Sequence, residues 1–206
     1  LANPISLPEG ALDRLRRAEP ALDEILRRVG PCLLSPGGAE GPLDALARSI
    51  VYQQLSGKAA ATIYGRFRAL FPAASFPTAQ DILAVDEGRL RACGLSRQKA
   101  SYLRALSEHV AAGTLPIDHL AELGDEEVIE ALTRVKGVGR WSAQMFLIFH
   151  LGRLDVWPSD DLGVRKGLGR ILGRAGPPTP AETRKHGERF RPYRSVAAWY
   201  LWRAAE

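Results

Sequence analysis

Hydrophobic residues along this chain recur at i, i+3, i+4 and i+7 in almost every periodic stretch, and hardly anywhere do they alternate at period two for long. That pattern excludes sheets as a main component and predicts an all-α protein. Thirteen helices are expected, over residues 9–18, 20–29, 42–54, 57–71, 79–84, 87–92, 97–112, 117–122, 125–134, 140–151, 161–172, 180–190 and 194–204. The Gly- and Pro-rich stretches "PGGAEGP" (36–42), "FPAASFPT" (71–78), "AGTLP" (112–116) and "RAGPPTP" (174–180) punctuate them. The break at 36–42 sets off a helical pair. The expected division is 1–40 as N-terminal helices packing with the C-terminal lobe, 41–135 as a central helical lobe, and 136–206 as a hairpin, a loop and C-terminal helices. No internal repeat suggests a solenoid.

The 206 residues are 46% hydrophobic and 25% charged, an ordinary globular balance large enough for a substantial core. The run "MFLIF" is cut short by His150 and Arg153, far below the roughly 20 apolar residues of a spanning helix. The opening "LANPISLPEG" has neither the basic nor the apolar region of a secretory signal. Cys32 and Cys93 have no Cys or His at ligand spacing, which predicts reduced, buried thiols. These features lead us to expect a cytoplasmic protein with no membrane partner and no required cofactor.

The net charge of +5 is unevenly spread: from Arg134 onward 14 basic residues face six acidic ones, so that region carries +8 and the remainder −3. A field of one sign suits a polyanion such as nucleic acid, and a merely solvated basic face gives the same count. Within the basic region lies "VKGVGRWSA" (135–143) between two helical patterns. Gly137 and Gly139 permit a tight turn with bare backbone. The helix starting at Arg140 offers the positive end of its dipole, with Lys136 and Arg140 alongside; a phosphate can bind there, although a plain αα-hairpin also favours glycine.

Helix, "VKGVGRWSA", helix resembles the hairpin of the helix-hairpin-helix superfamily of DNA glycosylases, and a Pro-containing loop follows it in "DVWPSDDLGVRKG" (155–167). Within that superfamily the chain is similar to DNA-3-methyladenine glycosylases of the alkylation-repair type. Three blocks in the family's order carry the similarity: "ARSIVYQQLSGKAAATIYGRF" (47–67), "LTRVKGVGRWSAQMF" (132–146) running on to the Pro loop, and "FRPYRSVAAWYLWR" (190–203). The resemblance implies two helical lobes flanking a cleft, in a compact form without an N-terminal mixed α/β domain. The implied activity is monofunctional excision of alkylated bases from double-stranded DNA by base flipping and hydrolysis. Two alternatives stay open, a glycosylase for oxidised or deaminated bases and a non-catalytic DNA-binding module.

From the residues alone, either Asp160 or Asp161 can cap the helix that follows, leaving the other carboxylate unengaged. The resemblance selects Asp161, 22 residues past Gly139, as the catalytic group. It places Trp141, Met145 and Trp202 in the base pocket, with Met145 where the related bacterial enzyme has an aromatic residue. It assigns Gln54, Leu55 and Ser56, with Lys136, Gly137, Val138, Gly139 and Arg140, to DNA binding, Leu55 as the wedge that fills the gap left by a flipped base. Lys58 is a further phosphate candidate. Main-chain carbonyls of Thr133, Val135 and Val138 are implied as ligands of a structural monovalent cation, Na or K. Trp141 stands where bifunctional relatives carry a Schiff-base Lys, so no lyase chemistry is expected. Trp157 either lines the cleft or anchors the Pro loop, Trp199 reads as core, and Arg97 and Lys99 read equally as DNA contacts or as a solvated face.

Overall fold

The computed structural model describes residues 4–37, 39, 41–72 and 76–206, and every regular element among them is helical. In chain order these are α1 (Ala11–Ala18), α2 (Asp23–Val29), α3 (Pro42–Tyr52), α4 (Gly57–Arg68), α5 (Ala79–Ala84), α6 (Glu87–Ala92) and α7 (Arg97–Ala111). After them come α8 (Asp125–Thr133), α9 (Arg140–Phe149), α10 (Leu162–Ile171), α11 (Pro180–Gly187) and α12 (Arg194–Ala205). The all-α expectation holds. Segment 117–122 is a correction: it winds as a 3-10 helix, Ile117–Glu122, closed by His119 N–H to the carbonyl of Pro116 at 3.0 Å. Seven residues lie between Pro116 and Gly124, and the short run ends as it begins on an i to i+3 bond, Leu123 N–H donating to the Leu120 carbonyl at 3.3 Å. Short 3-10 turns also replace the expected start of the second helix, Pro20–Leu22, and the expected end of the twelfth, Glu188–Phe190.

Helix starts follow side-chain chemistry. Ser56, Thr78, Asp86, Ser96, Asp161 and Thr179 each precede a helix and accept its third backbone N–H. At α11 the box is reciprocal, since Glu182 also accepts from the N–H and hydroxyl of Thr179 and pairs with Arg174 at 2.9 Å. Those hydrogen bonds, the backbone one foremost, hold the Glu182 carboxyl down at about 2. A depressed carboxyl stabilises the fold fully above its unfolded value and loses that contribution as pH falls toward about 2. Acid unfolding followed by circular dichroism should therefore shift to higher pH in Glu182→Ala. An unshifted acid limb would show that this cap contributes nothing.

The chain divides into two compact units, Leu1–Gly38 with Leu147–Glu206, and Ala39–Phe146. The hairpin residues 136–146 belong with the central helices, so the break falls at 146/147 and not at 135/136. The reason is local: Gln53 donates to the Gly137 carbonyl at 2.9 Å, Gly137 lies against the Tyr102 ring, and Arg140 pairs with Glu126 at 2.6 Å. In the other unit α12 runs through the core with Val196, Trp199, Tyr200 and Leu201 buried, α2 packs on it, and the Tyr200 hydroxyl donates to the Gly30 carbonyl at 2.8 Å. α10 crosses α12 closely because Gly167 is bare; a Cβ there would overlap the main chain of Leu201. Cys32 and Cys93 are buried free thiols, both pushed up by burial.

Candidate active site and DNA interface

The central unit carries the hairpin. α8 ends at Thr133, and the turn closes with Val138 N–H donating to the Val135 carbonyl at 3.0 Å while both valines are buried. The two glycines do different work. Gly137 has φ 93° and faces the Tyr102 ring so closely that a Cβ would collide with it. Gly139 has no positive φ, is exposed, and has nothing within 4 Å of where a Cβ would sit. Of the two glycines that permit the turn, only Gly137 uses a positive φ. Lys136 is exposed; Arg140, at the first turn of α9, is half exposed in its ion pair with Glu126. A pair that open to solvent is worth about 0–1 kcal/mol, so the guanidinium can exchange its partner for a phosphate.

Beside the hairpin in the same unit lies the loop between α3 and α4. Leu55 is 39% exposed, a large apolar side chain presented to solvent, and Ser56 is engaged as the cap of α4 through Ala59 N–H. Lys99 is half-buried rather than a freely solvated face residue: its ammonium donates to the carbonyls of Val51 and Gln53, each at 2.6 Å. It thereby satisfies main-chain acceptors at the end of α3. Arg97 remains exposed, 4.0 Å from Glu87.

The second unit carries the carboxylate. Asp161 is itself the cap of α10, its Oδ1 accepting from Val164 N–H at 2.8 Å and from the indole N–H of Trp202, also at 2.8 Å. Of the two aspartates Asp161 is thus the cap and Asp160 is exposed outside the helix, so the residue assigned to catalysis is itself the capping one, a single oxygen taking both bonds. Those donors fix the carboxylate, and Gly163 makes the arrangement sterically open, because a Cβ there would press on the Trp202 ring 2.7 Å away. The Pro loop before it is fastened at every turn. Ser195 Oγ accepts from Val156 N–H and donates to the Arg153 carbonyl, Arg194 grips Asp155 at 2.8 Å, and Asp161 N–H donates to the Pro158 carbonyl. The Trp157 indole donates to the Thr183 carbonyl and is buried, so Trp157 anchors the loop, while buried Trp199 is core.

On α9 the residues left exposed or half-buried are Arg140 together with Trp141, Met145 and Phe149. The last three recur every fourth position and so share one helix face. Trp141 is 45% exposed. Phe149, which the sequence reading passed over, stacks on Trp202 with ring centroids 5.6 Å apart and planes 27° apart. The fourfold spacing from Trp141 was the signal that could have found it. One face of Trp202 is thus covered by Phe149, and its edge is spent on Asp161. The structure gathers Asp161, Trp202, Gly163 and Phe149 in one unit, and Leu55, Gln53 and the hairpin in the other.

An all-helical frame with a glycine hairpin and a tethered aspartate at the head of the helix beyond its Pro loop defines a helix-hairpin-helix protein with a carboxylate site. The chain belongs to the HhH-GPD superfamily of base excision DNA repair proteins, which matches residues 47–192. It is 41% identical over 166 residues to DNA-3-methyladenine glycosylase 1 of Schizosaccharomyces pombe, covering 80% of this chain and 73% of that one. The fold superposes on the 3-methyladenine DNA glycosylase of S. pombe solved in complex with abasic DNA, with TM-score 0.84, 36% identity, and coverage of 94% and 95% of the two chains. It matches the DNA-3-methyladenine glycosidase of Bacillus halodurans with TM-score 0.85, 35% identity, and coverage of 98% and 91%.

Proposed function

We propose that this chain is a monofunctional DNA glycosylase that removes alkylated bases of the 3-methyladenine and 7-methylguanine type from duplex DNA in base excision repair. The observation that carries the reading is the Asp161 carboxylate, held by Val164 N–H and the Trp202 indole at 2.8 Å each. As the N-glycosidic bond breaks, its electron pair leaves with the base and the sugar carbon becomes cationic. A fixed carboxylate stabilises that charge without reorganising. Water then adds to the sugar carbon and loses a proton, which leaves an abasic site and a free base. An alkylated purine is electron-poor, so an aromatic face such as that of Trp141 favours it over a normal base.

Lys136, the open backbone at Gly139 and Arg140 supply phosphate contacts that position the protein without reading sequence. Leu55 fills the space vacated by the flipped base. Trp141 has no amine to attack the sugar, which argues against a covalent imine and strand scission. The carbonyls of Thr133, Val135 and Val138 are hard oxygen donors suited to Na or K at the turn; that of Val135 already accepts one N–H and keeps a second lone pair. Such an ion would steady the turn and take no part in the bond cleavage. One chain supplies every group named, in keeping with a monomer.

The test is chromatography of bases released from methylated duplex DNA, paired with borohydride treatment of the reaction. Free 3-methyladenine or 7-methylguanine, an unbroken abasic strand and no trapped adduct are expected. A trapped adduct with strand cleavage would overturn the monofunctional reading, and absence of any released base would overturn the substrate class.

A further inference from the structure

Among the described residues Gln54 is the non-glycine with a positive φ, 55°. An L-residue there is disfavoured by Cβ crowding, and such conformers persist where the surroundings over-determine them, often at functional sites. Three hydrogen bonds surround this one. Lys99 Nζ donates to the carbonyls of Val51 and Gln53 at 2.6 Å each, and Gln53 Nε2 donates to the Gly137 carbonyl at 2.9 Å. Gln53, the residue before the strained one, is therefore held by its main chain and its side chain at once. Burial pushes the Lys99 ammonium down from its ordinary range, so keeping it against those carbonyls works against its solvation. On the far side of Gln54 stands Leu55, 39% exposed, and then Ser56, which caps α4.

We infer that Gln53 and Lys99 are positioning residues that hold Leu55 outward and couple it to the hairpin, so that phosphate engagement at Lys136–Arg140 and insertion of Leu55 into the duplex occur as one event. The Gln53 amide reaches across 84 residues of sequence to the carbonyl of the glycine at the centre of the hairpin turn. A hairpin seated on the backbone therefore fixes where the loop bearing Leu55 stands. With the amide or the ammonium removed, Gln54 is left to relax from its strained conformer, and Leu55 loses its direction while the hairpin keeps its own phosphate-facing groups. This rests on the reading of Leu55 as the residue that enters the duplex.

The experiment follows the fluorescence of 2-aminopurine placed beside an abasic analogue in a duplex, which rises as the stack opens, alongside binding to undamaged duplex. In Gln53→Leu the insertion-competent fraction should fall about tenfold, the size expected when a half-buried carbonyl loses its donor. Binding to undamaged duplex should stay within about twofold. In a Leu55→Ala background Gln53→Leu should cause no further loss, because residues acting through one another are non-additive. Lys99→Met gives an independent arm with the same signature. Variants that fold by circular dichroism yet keep the full rise, or lose it by the same factor with and without Leu55, would overturn the coupling. Failure of both variants to fold would overturn it too, by making the bonds structural throughout the unit. A full rise in Leu55→Ala would instead remove the wedge reading, and the coupling with it.

Discussion

Asp161→Asn should lower the rate of base release by on the order of 10³-fold or more, the scale on which removing a fixed transition-state partner acts. The substitution is unusually clean here. Oδ1 accepts from Val164 N–H and from the Trp202 indole, and the carbonyl oxygen of Asn can accept the same two bonds. The α10 cap, the Trp202 orientation and its stack on Phe149 should all survive, so thermal stability and duplex affinity should match wild type while the negative charge is gone. Asp161→Ala would confound the result, because losing a cap alone costs about 1 kcal/mol. Single-turnover release from methylated duplex with the enzyme in excess is the measurement. Release by Asp161→Asn within about tenfold of wild type would remove Asp161 from the chemistry.

The second large effect separates the two hairpin glycines. Gly137→Ala places a methyl into the Tyr102 ring at φ 93°. The left-handed conformer costs about 1–2 kcal/mol and overpacking a further 1–3 kcal/mol, a large part of a marginal fold's stability. Urea unfolding should show that loss as a lower midpoint. Gly139→Ala meets open space without positive φ, so stability should move by no more than about 0.5 kcal/mol. Its methyl would stand on the face proposed to lie against the DNA backbone, and duplex affinity should fall for every sequence alike. Equal stability losses in both variants would contradict the packing role of Gly137, and unchanged affinity in Gly139→Ala would contradict the backbone role of Gly139. The pair thus tests a distinction that the spelling "GVG" conceals.

The helices were legible because their signals are local. Apolar spacing and the capping residues Ser56, Thr78, Ser96 and Thr179 act within a few residues of where they stand. The carboxylate site was legible as a place but not as an arrangement. "SDD" before a helix gives two aspartates and one capping position, and nothing local says that one oxygen of Asp161 will serve both the cap and an indole 41 residues away. Lys99 shows the same limit from the other side. On its own helix it reads as a half-exposed charge, and its purpose comes from carbonyls 46 and 48 residues upstream. Phe149 was hidden for another reason, because "MFLIF" reads as core and only the fourfold recurrence with Trp141 and Met145 sets it apart.

Replacing helical glycines by alanine is a standard route to thermostability, since it reduces the freedom of the unfolded chain. α10 inverts the sign of that recipe. Gly163, Gly167 and Gly169 each hold off a different neighbour, the Trp202 ring, the Leu201 main chain and the Gly176 carbonyl, while Gly65 in α4 is exposed with no atom within 4 Å of a new Cβ. An engineering campaign guided by helix propensity alone would gain at Gly65 and lose along α10. At Gly163 the loss would be of aim as well as stability, because the methyl would push away the indole that steadies Asp161.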